Sequence, residues 1–174
     1  TRHFELHHMV PAWFVPPVGL IVAAVGFPGG TLLLSVVHVL LYFGMIAYAF
    51  LLPTMLYRVL FSHQIPDAAK PTIAIFAAPA SLSLAGYLTV VAAPSPNIIM
   101  LLTGIAVLMT FIIYIAFLHL LRLPFSPGYA AFTFPIVISA TALFKVAAWM
   151  GTAGFAPQYV AHLAHLAHIE GFIA

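Results

Sequence analysis

The sequence predicts an all-α integral membrane protein, and three observations lead to this prediction. Of its 174 residues, 64% are hydrophobic and only 5% are charged, which gives a mean hydropathy of +1.17. The apolar residues form long runs that proline, glycine and short polar clusters separate. A helix needs about 20 apolar residues to cross a bilayer, and only structures that pair their own backbone groups can do so. The runs therefore predict transmembrane helices.

Six hydrophobic segments follow one another along the chain, and we expect them to form one transmembrane domain over residues 1–174. Their predicted bounds are 10–26, 31–61, 71–93, 97–121, 127–150 and 158–174. Short connections between consecutive segments favour about three helical hairpins. The sixth segment reaches the last residue with no basic or aromatic anchor after it, whereas a finished span usually carries one. We therefore expect an incomplete last helix in a chain that is a fragment.

The basic residues other than Lys145 lie in or flank alternate connections and predict the orientation. They are Arg2, Arg58, Lys70 and Arg122, while the connections at 27–30, 94–97 and 151–157 carry no charge. Because cytoplasmic connections are enriched in lysine and arginine, we expect the N-terminus inside and the first, third and fifth segments running outward.

Prolines recur within those three outward segments, at Pro16 and Pro17, at Pro79 and at Pro135. An internal proline removes the hydrogen bond to the carbonyl four residues earlier, which lipid tolerates only where that carbonyl faces protein or water. Transmembrane helices contain more proline than soluble ones, which is the simpler explanation for any single position. The repetition at intervals of nearly constant length favours three kinked helices around one pore or transport path.

Composition and motifs exclude several function classes. Five basic residues against three acidic ones form no patch for nucleic acid, and the absence of cysteine removes thiolate metal sites and cysteine nucleophiles. The sequence also lacks a Ser-His-Asp set and a phosphate-binding glycine loop. We expect a protein that is not an enzyme and that holds no cofactor.

Two histidine clusters support an alternative, a membrane di-iron enzyme of the desaturase or hydroxylase type. His3, His7 and His8 have the spacing of a histidine box, and the second cluster is His162, His165 and His168. Imidazoles three residues apart rotate by about 60° per step around a helix, and the predicted topology puts the two clusters on opposite sides of the membrane. We therefore expect no metal site, and iron analysis of the purified protein distinguishes the two hypotheses.

Lys145 and Glu170 are ionisable residues within predicted spans, where charge is costly and is usually paired or faces water. Lys145 comes close to the outer end of the fifth segment, where it can snorkel or attract anions to the mouth of a path. Glu170 lies much deeper, in the sixth segment, so we do not expect the two to pair directly.

Four stretches in this order resemble one transporter family across nearly the whole chain. They are PAWFVPPVGLIVAA at 11–24, LLPTMLYRVLF at 51–61, IAIFAAPASLSLAGYL at 73–88 and FSPGYAAFTFPIVISATALFK at 125–145. This set is similar to the C-terminal half of the tellurite-resistance/dicarboxylate transporter family, which includes TehA-like proteins and the slow anion channels of plants.

The resemblance implies ten helices in five hairpins around a central pore, commonly in a homotrimer, with this chain supplying the last three hairpins. It also implies that Pro16 or Pro17, Pro79 and Pro135 face the pore and that Phe134 occludes it. We then expect transport of small anions, such as malate, sulfite or an inorganic anion, across the inner cell membrane, with lipid as the other partner. A structural membrane subunit without transport activity is a third possibility.

Overall fold

The computed structural model describes residues 10–61, 67–122 and 127–173, and within these ranges every regular element is helical. The α-helices are α1 (Val15–Gly19), α2 (Val22–Val25), α3 (Leu34–Phe61), α4 (Ala78–Val90), α5 (Pro96–Leu120), α6 (Thr133–Thr152) and α7 (Pro157–Ile173). Three 3₁₀ helices add Pro11–Phe14, Asp67–Ala77 and Pro127–Phe132. The all-α prediction is confirmed, and the first hydrophobic segment consists of three short helices.

Four helical stretches are long and apolar enough to cross a membrane, which confirms an integral membrane protein. They are Leu34–Phe61, Lys70–Val90, Pro96–Leu120 and Tyr129–Thr152. Burial divides them into two groups. An 18-residue apolar window is 78% buried in Lys70–Val90 and 50% buried in Tyr129–Thr152. The corresponding window is only 22% buried in Leu34–Phe61 and 33% buried in Pro96–Leu120. The third and fifth segments of the sequence are therefore central, and the second and fourth present apolar side chains outward.

Helix α4 is the centre of the packing. Every residue from Ala78 to Tyr87 is buried, and α4 packs against α2, α3, α5 and α6. The outer surfaces of α3 and α5 carry large exposed apolar side chains such as Phe50 and Phe111. An apolar exterior around a packed interior is the arrangement expected for helices that contact lipid.

Each of the repeated prolines lies at the start of an α-helix that follows a 3₁₀ helix. Pro16 and Pro17 are in the first turn of α1, Pro79 is the second residue of α4, and Pro135 is the third residue of α6. Proline is tolerated in a first turn because its missing N–H would have no α-helical partner there. These four prolines thus mark three changes from 3₁₀ to α geometry, and this is a structural repeat.

Ile21 connects α1 and α2 to the centre of the domain. The residue is fully buried at the break between the two short helices, where the Ile21 N–H donates to the Val18 carbonyl at 3.0 Å. Gly44 of α3 and Gly86 of α4 both lie against its side chain, and a Cβ on Gly86 would come within 2.8 Å of Ile21 Cγ2. Close approach of α2, α3 and α4 therefore requires glycine at both positions.

Side-chain hydrogen bonds join α3, α4 and α5 near the connection between α4 and α5. His38 Nε2 lies 3.1 Å from the carbonyl oxygen of Val90, at the last turn of α4. The backbone N–H of Ser95, which precedes α5, donates to the Tyr87 hydroxyl oxygen at 3.0 Å. These bonds fix the short connection between α4 and α5 and provide partners for polar groups at a helix end.

The glycine contacts predict a specific packing defect. Gly86→Ala should destabilise the protein by about 1 to 3 kcal/mol, because the new methyl group overpacks the site of Ile21. Thermal unfolding in detergent measures the effect, and Gly104→Ala on α5 is the matched control because nothing lies within 4 Å of its added Cβ. Equal stability of the two variants would contradict this packing of Ile21 against Gly86.

Ile21→Ala combined with Gly86→Ala should lower the free energy of unfolding by less than the sum of the single changes, because the first change removes the atoms with which the second would clash.

Candidate functional site

The three proline-bearing segments meet at one apolar cleft of about 320 Å³. Its walls are Phe14, Val15, Val18, Gly19 and Val22 from the first segment, Ile75, Ala78, Pro79 and Leu82 from the second, and Ala131, Phe134 and Pro135 from the third. No lining side chain carries a charge or a hydroxyl group. The cleft therefore has the chemistry of an apolar constriction and offers no ligand for a metal.

Two of the predicted kink prolines line this cleft, together with the residues whose carbonyls they affect. Pro79 and Pro135 cannot donate to the carbonyls of Ile75 and Ala131, and both of those residues are also in the cleft wall. Pro16 is exposed and Pro17 is half-buried, and neither is among the lining residues, whereas their neighbours Val15 and Val18 are.

Phe134 and Phe132 have different surroundings, although they are two residues apart. The Phe134 ring lines the cleft and is 47% exposed. Phe132 packs instead against two aromatic rings, with centroid distances of 4.9 Å to Phe117 and 4.9 Å to Tyr129. Of the two, Phe134 is therefore the side chain that has free space in front of it.

Lys145 lies on the same face of α6 as Phe134. The two positions differ by about 20° around the helix and about 16 Å along it, at about 100° and 1.5 Å per residue. Lys145 is half-buried and lines a second pocket at the C-terminal ends of α4 and α6, with Leu88, Trp149 and Thr152 among its neighbours. The only basic residue of α6 is thus in line with the cleft but well separated from it.

A buried chain of polar side chains connects α5, α6 and α7. Ser139 Oγ donates to Glu170 Oε1 at 3.1 Å, and the hydroxyls of Thr110 and Ser139 are 3.0 Å apart. All three residues are buried, and Glu170 Oε2 has no hydrogen-bond partner among the described residues. As expected from the sequence, Glu170 is not paired with Lys145. Sequence reasoning missed Ser139 and Thr110, for which the only signal was a hydroxyl within an otherwise apolar helix.

The histidine clusters do not form a metal centre in the part of the chain that the structure describes. His162, His165 and His168 are exposed on α7, and His168 packs edge-on against the Phe144 ring at 4.8 Å. In residues 10–61, 67–122 and 127–173, no group of three or more histidine or acidic side chains could hold a metal ion. His3, His7 and His8 lie outside the described residues.

A family model described as a voltage-dependent anion channel matches residues 1–167. The chain belongs to this family. The match confirms the resemblance to the tellurite-resistance/dicarboxylate transporter family, and with the apolar helices it assigns the chain to membrane transport proteins of the anion-channel type.

Two curated relatives come from Methanocaldococcus jannaschii, and both are named uncharacterized transporters. One is 30% identical over 84% of this chain and 49% of its own length, and the other is 29% identical over 78% of this chain and 46% of its own. The chain thus spans about half the length of the curated relatives it matches. No solved structure matches it.

Proposed function

We propose that the chain forms part of a transmembrane path for small anions, and that the Phe134 ring occludes this path. The observation that carries the proposal is the apolar cleft in which the three proline-bearing segments meet with Phe134 half-exposed. Membership of a voltage-dependent anion channel family supports it. An aromatic ring in a narrow apolar passage blocks ions by steric exclusion and by keeping water out.

Opening then requires only a movement of the Phe134 side chain. The ring is held on one side by the start of α6 and has free space on the other, so a rotamer change or a small shift of α6 would clear the passage. Rotamer changes are fast and need no backbone rearrangement. Pro135 contributes by fixing the point at which α6 begins, which sets the direction of the preceding residue.

Lys145 attracts anions to the outer mouth of the proposed path. Its position on the Phe134 face of α6, toward the outer end, supports this role. A positive charge beside an otherwise uncharged passage raises the local anion concentration. The charge acts at the mouth and not at the constriction, which is about 16 Å away along α6, because fields are largely screened beyond about 10 Å at 0.1 M salt.

The remaining features of the proposal follow from the family and from the charge distribution. The transported species are small anions such as malate, sulfite or inorganic anions, and the membrane is the inner cell membrane. The basic connections orient the N-terminus toward the cytoplasm. In the assembled protein, a homotrimer, two further hairpins complete a five-hairpin pore in each subunit.

Phe134→Ala tests the occlusion. In the full-length protein in a planar bilayer, this change should increase anion conductance at least about tenfold, because it removes the side chain that keeps the passage dry. Single-channel and macroscopic currents in chloride, malate and sulfite solutions measure the change. If Phe134 were only a packed aromatic residue, its removal would cost about 3 to 5 kcal/mol of stability with no gain in conductance.

Two control variants make the result specific. Phe132→Ala removes a neighbouring ring that packs against Phe117 and Tyr129, and Phe144→Ala removes an exposed ring of the same helix outside the cleft. Conductance of both should stay near the wild-type level. A larger increase at Phe132 than at Phe134 would refute the assignment of the occluding residue.

Lys145→Gln tests the attraction of anions. The change should reduce anion flux by about twofold to tenfold at low ionic strength and have little effect at about 1 M salt, where the screening length falls to about 3 Å. Flux into liposomes at several concentrations of an impermeant salt measures the dependence. Equal reduction at low and high salt would instead indicate that Lys145 has a structural role.

A further inference from the structure

Glu170, Ser139 and Thr110 lie at the same depth in the domain. Their depth is measured along each helix from its nearest uncharged connection, at about 1.5 Å per residue. Glu170 is about 20 Å from Pro157 on α7, and Ser139 is about 20 Å from Thr152 on α6. Thr110 is about 21 Å from Pro96 on α5. The three helix ends belong to the uncharged connections on one side of the domain. A depth of about 20 Å is about two thirds of the way across a hydrocarbon core of about 30 Å.

The hydrogen bonds among these residues run in one direction. Because the Ser139 hydroxyl donates to Glu170, it can only accept from Thr110, so the chain of donation is Thr110 to Ser139 to Glu170. The second carboxyl oxygen, Oε2, is buried without a partner, and so is the hydroxyl of Tyr114, which lines the same groove between α5 and α7. A carboxyl group with one paired and one free buried oxygen has a vacant position for a proton.

Other titratable groups do not compete for this position. On α6 the only one is Lys145, which lies in the pocket at the C-terminal ends of α4 and α6, and on α5 the group that faces Glu170 is Tyr114. His162, His165 and His168 of α7 are exposed on other faces of that helix, with His168 against Phe144. Among the described residues, Glu170 therefore provides the only carboxyl group at this depth.

The carboxyl is linked directly to the helix that carries Phe134. Its hydrogen-bond partner Ser139 is on α6, about 7.5 Å along the helix from Phe134 and on a face that differs by about 140°. The cleft and the carboxyl thus lie on different sides of α6. A movement of α6 relative to α7 at Ser139 would therefore also move the part of the cleft wall that α6 contributes.

We propose that Glu170 is a proton-binding site, separate from the anion path, whose occupancy sets the position of α6 and thereby the accessibility of the cleft. With the proton bound, the neutral carboxyl group remains in the apolar contact between α5, α6 and α7. When the proton leaves, the ionised group draws water into the groove at Tyr114, because a buried charge must be solvated or paired. Water in that groove separates α6 from its neighbours and opens the cleft.

This inference rests on the proposed function in one respect: if the cleft is an anion path, its opening as the pH rises should increase anion transport. The binding of the proton and the movement of α6 are measurable without any transported anion. The test uses full-length protein without other cysteines, in liposomes, with Ala131→Cys as a reporter in the cleft wall. The chain described here contains no cysteine of its own, and Ala131 is half-buried beside Phe134.

The measured quantity is the rate at which a water-soluble methanethiosulfonate modifies the reporter, with and without Glu170→Gln. The ratio of the two rates cancels the ionisation of the thiol itself. The ratio is the rate in the protein with Glu170 divided by the rate in the Glu170→Gln variant. Because glutamine resembles the protonated acid, this ratio should be near one at about pH 5 and should rise at least about fivefold by about pH 9. A ratio that is constant over this range, or that falls, overturns the proposal. Folding of the glutamine variant is verified by size-exclusion chromatography.

Two further measurements distinguish protonation of Glu170 from titration of another group. His165→Gln, which removes an exposed titratable group from the same helix, should leave the pH response unchanged; loss of the response there would assign it to histidine and overturn the proposal. Infrared difference spectra between acidic and alkaline pH should show a carboxylic acid band that Glu170→Gln removes, and its persistence would also overturn it. If chloride, malate and sulfite all fail to cross while the ratio still rises, the proposed function fails and the proton site stands.

Discussion

The constraint on which this structure depends is that a bilayer interior has no water to pair with backbone polar groups. The segments that carry Pro79 and Pro135 satisfy this constraint inside the domain, whereas Pro53 lies within α3, which has an outer position. The helix with the most complete burial, α4, has Pro79 in its first turn, and α3 and α5 have the outer positions. The same placement brings Pro79 and Pro135 to a common cleft. The candidate cleft therefore lies where the α-helical parts of three proline-bearing segments begin.

Much of this architecture is predictable from the sequence because it depends on composition and spacing. Long apolar runs predict the membrane helices, and the recurrence of Pro79 and Pro135 predicts that their segments are related. The exact helix type is not predictable in this way, since Asp67–Ala77 and Pro127–Phe132 are 3₁₀ helices whose apolar sequence is equally compatible with α geometry. Their conformation depends on packing against each other, which is a tertiary contact between distant segments.

The candidate site was predictable to different degrees at different residues. Phe134 was identified through a family resemblance, and its contrast with Phe132 required the observed contacts with Phe117 and Tyr129. Val18 and Leu82 of the cleft wall carry no signal in the sequence, since any membrane helix contains such residues. Glu170 was conspicuous as a charge in an apolar segment, but its partner Ser139 could be found only from the packing of α6 against α7.

The most direct test of the account is a cryo-electron microscopy map of the full-length protein in lipid nanodiscs. We predict that the cleft walls contributed by Val18, Leu82 and Ala131 line one continuous passage normal to the membrane, and that the Phe134 ring lies across it. The passage should have no side branch into lipid at α3 or α5. A map in which the cleft faces the acyl chains, or in which another helix fills it and leaves no passage, would contradict the account.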